Sequence, residues 1–149
     1  MKLVAAAAAA VLLFAVPAFA EDNAEVMAPI HAFLDGMDSG NIPMASGAFT
    51  ASPTILDEVP PHHFVGASAF MDWAQAFGKD SAANGDTESK LTLTGVQRVR
   101  VSGDSAYVVA TGDYAFKRKG APMVEHASIT FALDKTATGW KIASWAFGG

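Results

Sequence analysis

The chain ends in GWKIASWAFG at residues 139–148, and this stretch decides the fold. Its aromatic and aliphatic residues, bounded by glycines, are typical of a strand. It closes a run of four strand-like segments that begins at Lys90, and each turn between them contains glycine. Consecutive strands joined by short turns form an antiparallel meander. Such a meander, after a mostly helical first half, predicts one sheet curved around helices.

The expected strands of the meander lie near residues 90–101, 106–117, 123–134 and 140–147. Gly95 interrupts the apolar alternation between Leu93 and Val96, which predicts a β-bulge at that point. Bulges and glycines are what allow a long sheet to bend. The pattern therefore favours a cone-shaped roll over a flat sandwich.

Three helices are expected before the meander. The first is predicted from Asp22 or Asn23 to Ser39, because apolar residues recur there at steps of three and four. A short second helix is expected near residues 43–49, a strand at 54–59, and a brief extended segment at 62–65. A third helix follows, and residues 78–89 are predicted to form a surface loop. The fold class is α+β, with three helices packed in a strongly curved antiparallel sheet.

Residues 1–20 have the pattern of a cleavable secretory signal. Lys2 precedes a wholly apolar run that Pro17 interrupts. In Ala18-Phe19-Ala20, small residues occupy the third and the first position before the expected cleavage site. A membrane anchor is the alternative, since about eighteen apolar residues is near the lower limit for a span. We expect cleavage after Ala20 and a periplasmic or secreted protein with no membrane segment once it is cut. The chain contains no cysteine, which excludes disulfides and lipid attachment through cysteine.

Residues 21–149 form one domain by length, large enough to bury a core without disulfides. Without Lys2 the domain carries 9 Lys and Arg against 15 Asp and Glu, a formal net charge of −6. This acidic balance argues against a nucleic-acid partner, because phosphate backbones repel negative surfaces. The one basic run, Lys117-Arg118-Lys119, adjoins Gly120 and reads as a solvated hairpin tip.

Several short segments are arranged as in the nuclear transport factor 2-like superfamily. They are FLDGMDSGN at residues 33–41, Phe49-Thr50 before the first strand, Val65-Gly66 before the third helix, and the closing strand. In their order and spacing, over residues 24–148, the chain resembles the SnoaL-like and ketosteroid-isomerase-like members. The resemblance implies a cystatin-like roll with a pocket inside the cone. It does not imply one activity, because a single scaffold hosts many.

Relatives of the isomerase type use a carboxylate base and an oxyanion hole made of a tyrosine and a protonated aspartic acid. The resemblance places the base at Asp57. The tyrosine position falls on Phe33, which has no hydroxyl, and the second acid falls near Ala127. Loss of a single oxyanion donor costs about a hundredfold or more in rate. The chain is therefore not expected to be a ketosteroid isomerase.

Asp57, His62 and His63 are the candidate catalytic residues. Asp57 follows the apolar pair Ile55-Leu56, and a carboxylate that faces an apolar pocket has a raised pKa suited to proton abstraction. The alternative is that Asp57 points outward or caps a strand end. One of the two histidines is a candidate acid/base partner of Asp57, and only one, because neighbours on a strand face opposite sides. The alternative is a loop after Pro60-Pro61 in which both histidines are exposed. No zinc-like spacing is present, and no metal or cofactor is expected.

The candidate ligand-contacting residues are aromatic or share one face of the third meander strand. Glu125 has the same strand parity as the apolar residues that follow it, which suggests a pocket-lining face. Asp113 has the parity of Tyr107 on the preceding strand. Core packing is the alternative for the aromatic residues, Trp145 among them. The predicted set is Phe33, Trp73, Tyr107, Glu125, Ala127, Ile129 and Phe131.

Three functional hypotheses follow from the sequence. The first is an exported module that binds a small apolar or aromatic molecule without turnover. The second is a SnoaL-like enzyme that performs isomerisation, cyclisation or dehydration with Asp57 as base. The third is an interaction domain that forms a homodimer through the open sheet face, as members of the superfamily that the chain resembles often do.

Overall fold

The structure is a computed structural model that describes residues 18–149, with side chains described from residue 24. The predicted signal peptide, residues 1–20, lies outside the described residues except for its last three, which begin the first helix. Signal function and cleavage after Ala20 therefore stay predictions from the sequence.

In the described part of the chain, three helices and six strands follow one another. Among these helices, none is long and apolar enough to cross a membrane. The elements are α1 (Ala18–Asp38), α2 (Ile42–Gly47), β1 (Phe49–Leu56), β2 (His63–Val65), α3 (Ala69–Asn84), β3 (Asp86–Ser102), β4 (Ser105–Arg118), β5 (Ala121–Thr136) and β6 (Gly139–Gly148).

Helix α1 buries the apolar stripe that its sequence predicts. Val26, Ile30 and Phe33 are at most 2% exposed, and the helix continues through Pro29. Gly36 lies against the backbone of Ala45 in α2, where an added Cβ would be 2.5 Å from the amide nitrogen. The absence of a side chain at residue 36 therefore lets the two helices touch.

Two predicted boundaries were wrong. Strand β1 begins at Phe49 and includes Pro53. Proline has no backbone N–H that would need a partner, and the carbonyl oxygen of Pro53 accepts a hydrogen bond from Gly66 N at 3.1 Å. Residues 78–89 are not a loop, because α3 continues to Asn84 and β3 starts at Asp86. A glycine inside a helix costs only about 1 kcal/mol, so Gly78 does not end α3. The left-handed Gly85, with φ of 75°, ends it instead.

The six strands form one sheet in the order β2-β1-β6-β5-β4-β3. The meander from β3 to β6 is antiparallel, as predicted, and the pairing shifts register between Leu93 and Gly95, which confirms the bulge. The sheet is mixed rather than wholly antiparallel, because β1 pairs parallel to β6. These two strands are separated by most of the chain, so no short turn in the sequence indicates whether they pair parallel or antiparallel.

The sheet curves around the helices without closing, since β2 and β3 remain its two edges. Its inner face packs on α1 and α3 through residues such as Val108, Ile129, Phe131 and Ile142, which are all fully buried. The predicted α+β cone is therefore confirmed. The outer face of the sheet carries no helix from the described residues.

Candidate functional site

A cavity of about 640 Å³ lies inside the cone, between the inner face of the sheet and helices α1 and α3. This volume is within the range of small-molecule sites, about 300–1,000 Å³. Its wall combines a group of aromatic rings with acidic side chains. The aromatic residues of the wall are Phe33, Trp73, Phe77, Tyr114, Phe116, Trp145 and Phe147.

These aromatic rings form a continuous series from the core to the cavity mouth. At the core end, Trp73 and Trp145 pack edge to face with ring centroids 4.7 Å apart. Phe77 joins Trp73 at 5.7 Å and Tyr114 at 6.2 Å. Tyr114 stacks on Phe116 at 5.0 Å. Edge-to-face and offset packing is the favoured geometry of aromatic pairs, so this wall is a preformed apolar surface.

Asp57 stands in the cavity wall, directly after β1, with both carboxylate oxygens hydrogen bonded. Its Oδ1 accepts from the backbone N–H of Val59 at 2.9 Å, and its Oδ2 accepts from Trp73 Nε1 at 3.0 Å. Burial raises the pKa of Asp57, with a smaller contribution from the charge of Glu58, while the two hydrogen bonds oppose the rise. The result is an oriented carboxylate that holds a proton more readily than an exposed aspartate does.

Trp145 brings an unsatisfied donor to the same wall. Its side chain is 3% exposed, and its Nε1 has no hydrogen-bond partner among the residues that the structure describes. A buried donor without an acceptor costs about 1–3 kcal/mol. The nitrogen has almost no surface open to the cavity, so a ligand or water molecule there does not reach it.

Ion pairs fix two sides of the mouth. Arg118 forms a two-point contact with Asp86, with both N–O distances at 2.8 Å, and this holds the pKa of Asp86 below its usual range. Lys90 of β3 pairs with Asp38 of α1 and so joins the sheet to the helix. Both basic residues of the wall are thus occupied by acids of the wall.

A second carboxylate, Glu125, lies at the mouth on β5. Burial raises its pKa, and the charges of Glu58 and Asp57 add to the rise, while Arg118 opposes it. Gly149 lies against the Glu125 side chain and donates its N–H to Glu58 Oε1 at 2.9 Å. Three acidic side chains therefore gather near the end of β6.

The structure brings several of the predicted site residues together in this cavity. Asp57, Phe33, Trp73 and Glu125 all lie in its wall, on four different elements or their ends. Ala127, Ile129 and Phe131 share the inner face with Glu125, as parity predicted, but they lie deeper and pack in the core. They are at most 4% exposed, so they support the cavity floor rather than line it.

His62 and His63 are not placed as partners of the Asp57 carboxylate. His62 is in a tight turn, where its N–H donates to Val59 O at 2.8 Å and its Nδ1 is 3.3 Å from the backbone oxygen of Asp57. His63 is exposed and lines a separate outer groove beside α3. Neither histidine lines the cavity, so their placement gives no support to the predicted acid/base role.

Tyr107 is also placed differently from its prediction. It is 44% exposed on the outer face of the sheet, since Ala106 and Val108 are the buried neighbours. Asp113 shares that outer face, where His126 Nδ1 lies 2.7 Å from its Oδ1. The sequence parity for β4 was therefore off by one residue.

Tyr114 is the main residue of the wall that the sequence analysis missed. Lys119 and Gly120 both have positive φ, 51° and 84°, and form the two-residue turn between β4 and β5. That turn pairs Arg118 with Ala121, and counting back places Tyr114 directly opposite Glu125. The signal was in the sequence, because Lys-Gly at a hairpin tip fixes the register of both strands.

In the described chain, no group of three His, Asp or Glu side chains has the geometry of a metal site. The chain matches the sequence model of the SnoaL-like domain over residues 26–147. The protein is a SnoaL-like domain. No curated protein matches the sequence.

Several solved structures share the fold of this chain, among them proteins described as nuclear transport factor 2-like. A superfamily protein of Salmonella enterica has a TM-score of 0.71 at 18% identity, over 88% of this chain and 92% of that chain. A protein with a cystatin-like fold from Novosphingobium aromaticivorans has a TM-score of 0.70 at 17% identity, over 87% and 82%. The CaMKII hub of S. rosetta has a TM-score of 0.69 at 22% identity, over 85% and 95%. These identities establish the shared fold and no shared activity.

Proposed function

We propose that this SnoaL-like domain binds a small, largely apolar or aromatic molecule inside the cone. The observation that carries the proposal is the preformed cavity of about 640 Å³ with its wall of packed aromatic rings. A wall that is already ordered lowers the entropy that binding would otherwise cost.

A polar feature of the wall supports a bound molecule over an empty packing defect. Asp57 is fixed there by two hydrogen bonds. A few well-placed polar groups in an apolar wall are typical of small-molecule sites, because they orient the ligand.

The test uses the neutral fluorescent probe N-phenyl-1-naphthylamine and two variants of α3. Ser81 lies in the cavity wall, whereas Ala83 is exposed on the same helix and contributes to neither groove nor cavity. Ser81→Trp fills the cavity mouth and is expected to weaken probe binding at least tenfold. Ala83→Trp adds the same side chain outside and is expected to leave the Kd unchanged.

Probe binding that is equally strong in both variants would place the ligand elsewhere and contradict the proposal. Melting temperatures of the two variants show that each is folded. Native mass spectrometry of the protein from its own host then identifies any molecule that the cavity retains.

Proton transfer by Asp57 is the second candidate function. The raised pKa of Asp57 and its position against the cavity favour it, because a base with a pKa nearer neutrality takes up a proton from carbon more readily. In such a step, Asp57 removes a proton from the carbon beside a carbonyl, the electron pair moves to the carbonyl oxygen, and the proton returns to the enolate.

The measurement is deuterium exchange at the carbons beside the carbonyl of 2-tetralone, followed by NMR. Asp57→Asn is expected to abolish exchange while the ketone still binds. Asp72→Asn, an exposed acid on α3, is the control. Exchange that persists in Asp57→Asn would exclude this carboxylate as the base.

We also propose that the protein is exported and acts in the periplasm or outside the cell. The support is the apolar run of residues 1–20 with its Ala-x-Ala site. N-terminal sequencing of the protein from the exported fraction should begin at Glu21. A full-length chain found only in the membrane would point to an uncleaved anchor.

A further inference from the structure

We propose that the cavity recognises an organic cation, with a protonated or quaternary amine seated among Asp57, Glu58 and Glu125 and an apolar body on the aromatic wall. The inference rests on the proposed function and adds the chemical class of the ligand.

The first step concerns the charges of the wall. Lys90 and Arg118 are its basic residues, and they are paired with Asp38 and Asp86. Asp57, Glu58 and Glu125 also line the cavity, and none forms an ion pair within the described residues. The wall therefore presents uncompensated negative charge to whatever enters.

The second step concerns the position of these carboxylates. Glu58 and Glu125 both contact Gly149 at the end of β6, because β1 and β5, the strands beside them in the chain, flank β6 in the sheet. The raised pKa values of Asp57 and Glu125 reflect burial first and then the charge of Glu58. A positive charge placed among them would relieve this mutual repulsion, which an apolar neutral ligand cannot do.

The third step concerns the neighbouring rings. Tyr114 lies directly opposite Glu125 on the β4–β5 pair, so their side chains share the inner face. Tyr114 stacks on Phe116 and meets Phe147 at a centroid distance of 6.2 Å. Aromatic faces attract cations, and the attraction is stronger when the cation is desolvated, as it is for quaternary ammonium groups held among aromatic rings. Rings next to unpaired carboxylates form a suitable environment for such a group.

At the core end of the wall, Trp145 is 3% exposed, and its Nε1 has almost no surface open to the cavity. The apolar body of the ligand therefore meets the ring of Trp145 there and no polar atom of the indole. Since no three acidic or histidine side chains of the described residues have metal-site geometry, the carboxylates suit a bulky organic cation better than a metal ion.

The test compares phenyltrimethylammonium with tert-butylbenzene, which have the same shape and differ in charge. Binding is followed by NMR through the indole N–H signals of the three tryptophans. The cation is expected to bind at least tenfold more tightly to the unaltered protein. In Glu58→Gln/Glu125→Gln, the preference is expected to fall at least fivefold, and this variant should remain folded because the change removes repulsion.

Asp104→Asn/Asp134→Asn is the matched control. It also removes two negative charges, but from exposed positions at the far end of β4 and β5, where Ser105 pairs with Asp134. This variant is expected to keep the preference for the cation over tert-butylbenzene. Equal affinity for both ligands would overturn the inference while leaving the proposed function intact. The inference would also be overturned if the cation failed to bind. An equal effect of Ca²⁺ or Mg²⁺ on the same indole N–H signals would overturn it as well. Failure of every probe, N-phenyl-1-naphthylamine included, would instead contradict the proposed function.

Discussion

Asp57 combines two opposing influences on one carboxyl group. Burial favours its protonated form, and the hydrogen bonds from Val59 and Trp73 favour its ionised form. Because burial is the larger effect, the pKa of Asp57 is higher in the folded protein than in the unfolded chain. Asp57 therefore contributes stability at low pH that is lost as the pH rises from the ordinary value, about 4, through the raised value.

Trp73→Phe removes one of the two hydrogen bonds and keeps an aromatic ring. The pKa of Asp57 should rise further, and the variant should lose about 1.5–3 kcal/mol of unfolding free energy at pH 8, where the bond is to a charged group. The loss should be smaller near pH 3, about a unit below the ordinary pKa of aspartate, where Asp57 is protonated. A ¹³C NMR titration of the carboxyl group and urea unfolding at both pH values measure these effects.

Trp140→Phe is the control for that experiment. Trp140 is also a buried tryptophan, 7% exposed, but it lies near Lys135 and does not contact Asp57. Its substitution should leave the Asp57 titration unchanged. An unchanged titration in Trp73→Phe as well would mean that the hydrogen bond does not hold the carboxylate in solution.

Helix α3 shows how local sequence signals can be outweighed within one element. Gly78 suggested a loop, but no atom lies within 4 Å of its missing Cβ and the helix simply continues past it. Gly85 has φ of 75°, and its carbonyl accepts a hydrogen bond from Lys119 N at 2.8 Å, which ties the end of α3 to the β4–β5 turn. Of the two glycines, only Gly85 has a left-handed backbone conformation that favours glycine.

The two glycines of α3 and its cap should therefore respond to alanine in opposite ways. Gly78→Ala should raise the unfolding free energy by about 0.5–1 kcal/mol, because alanine is the better helix former. Gly85→Ala should lower it by about 1–2 kcal/mol, because a left-handed residue with a Cβ is strained. In addition, the new methyl group would lie 3.1 Å from Lys119 Cγ. Chemical denaturation of both variants provides the measurement, and effects of the same sign would contradict this account of the helix end.

The strands show which part of the fold the sequence could predict. Each strand of the meander was found, because alternation and turn glycines are local signals. The inner face of β4 was misassigned, since Val109 and Thr111 alternate with Val108 and Ala110 and both faces look equally apolar. Only the register imposed by the Lys119-Gly120 turn distinguishes them. Because the predicted inner face of β4 was wrong, Tyr107 was predicted in the site in place of Tyr114.

Across the whole molecule, the properties that the sequence did not reveal are the non-local ones. The parallel pairing of β1 with β6 joins residues such as Ile55 and Trp145, ninety positions apart. The same pairing brings Asp57 and Glu125 into the wall of one cavity. Strand parity could place Glu125 on an inner face, but no local pattern could bring Glu58 next to it.

The outer face of the sheet leads to the last prediction, which is that the mature protein forms a homodimer. No described helix covers this face, and its central positions on β4, β5 and β6 are small or uncharged. Tyr107 is exposed there, opposite Ala132. Tyr107→Glu should convert the dimer to a folded monomer, because a charge buried in an apolar interface is costly. Met71→Glu, at an exposed apolar position on α3, should leave the dimer intact. Sedimentation over a range of concentrations distinguishes the two, and an unaltered protein that stays monomeric throughout would contradict the prediction.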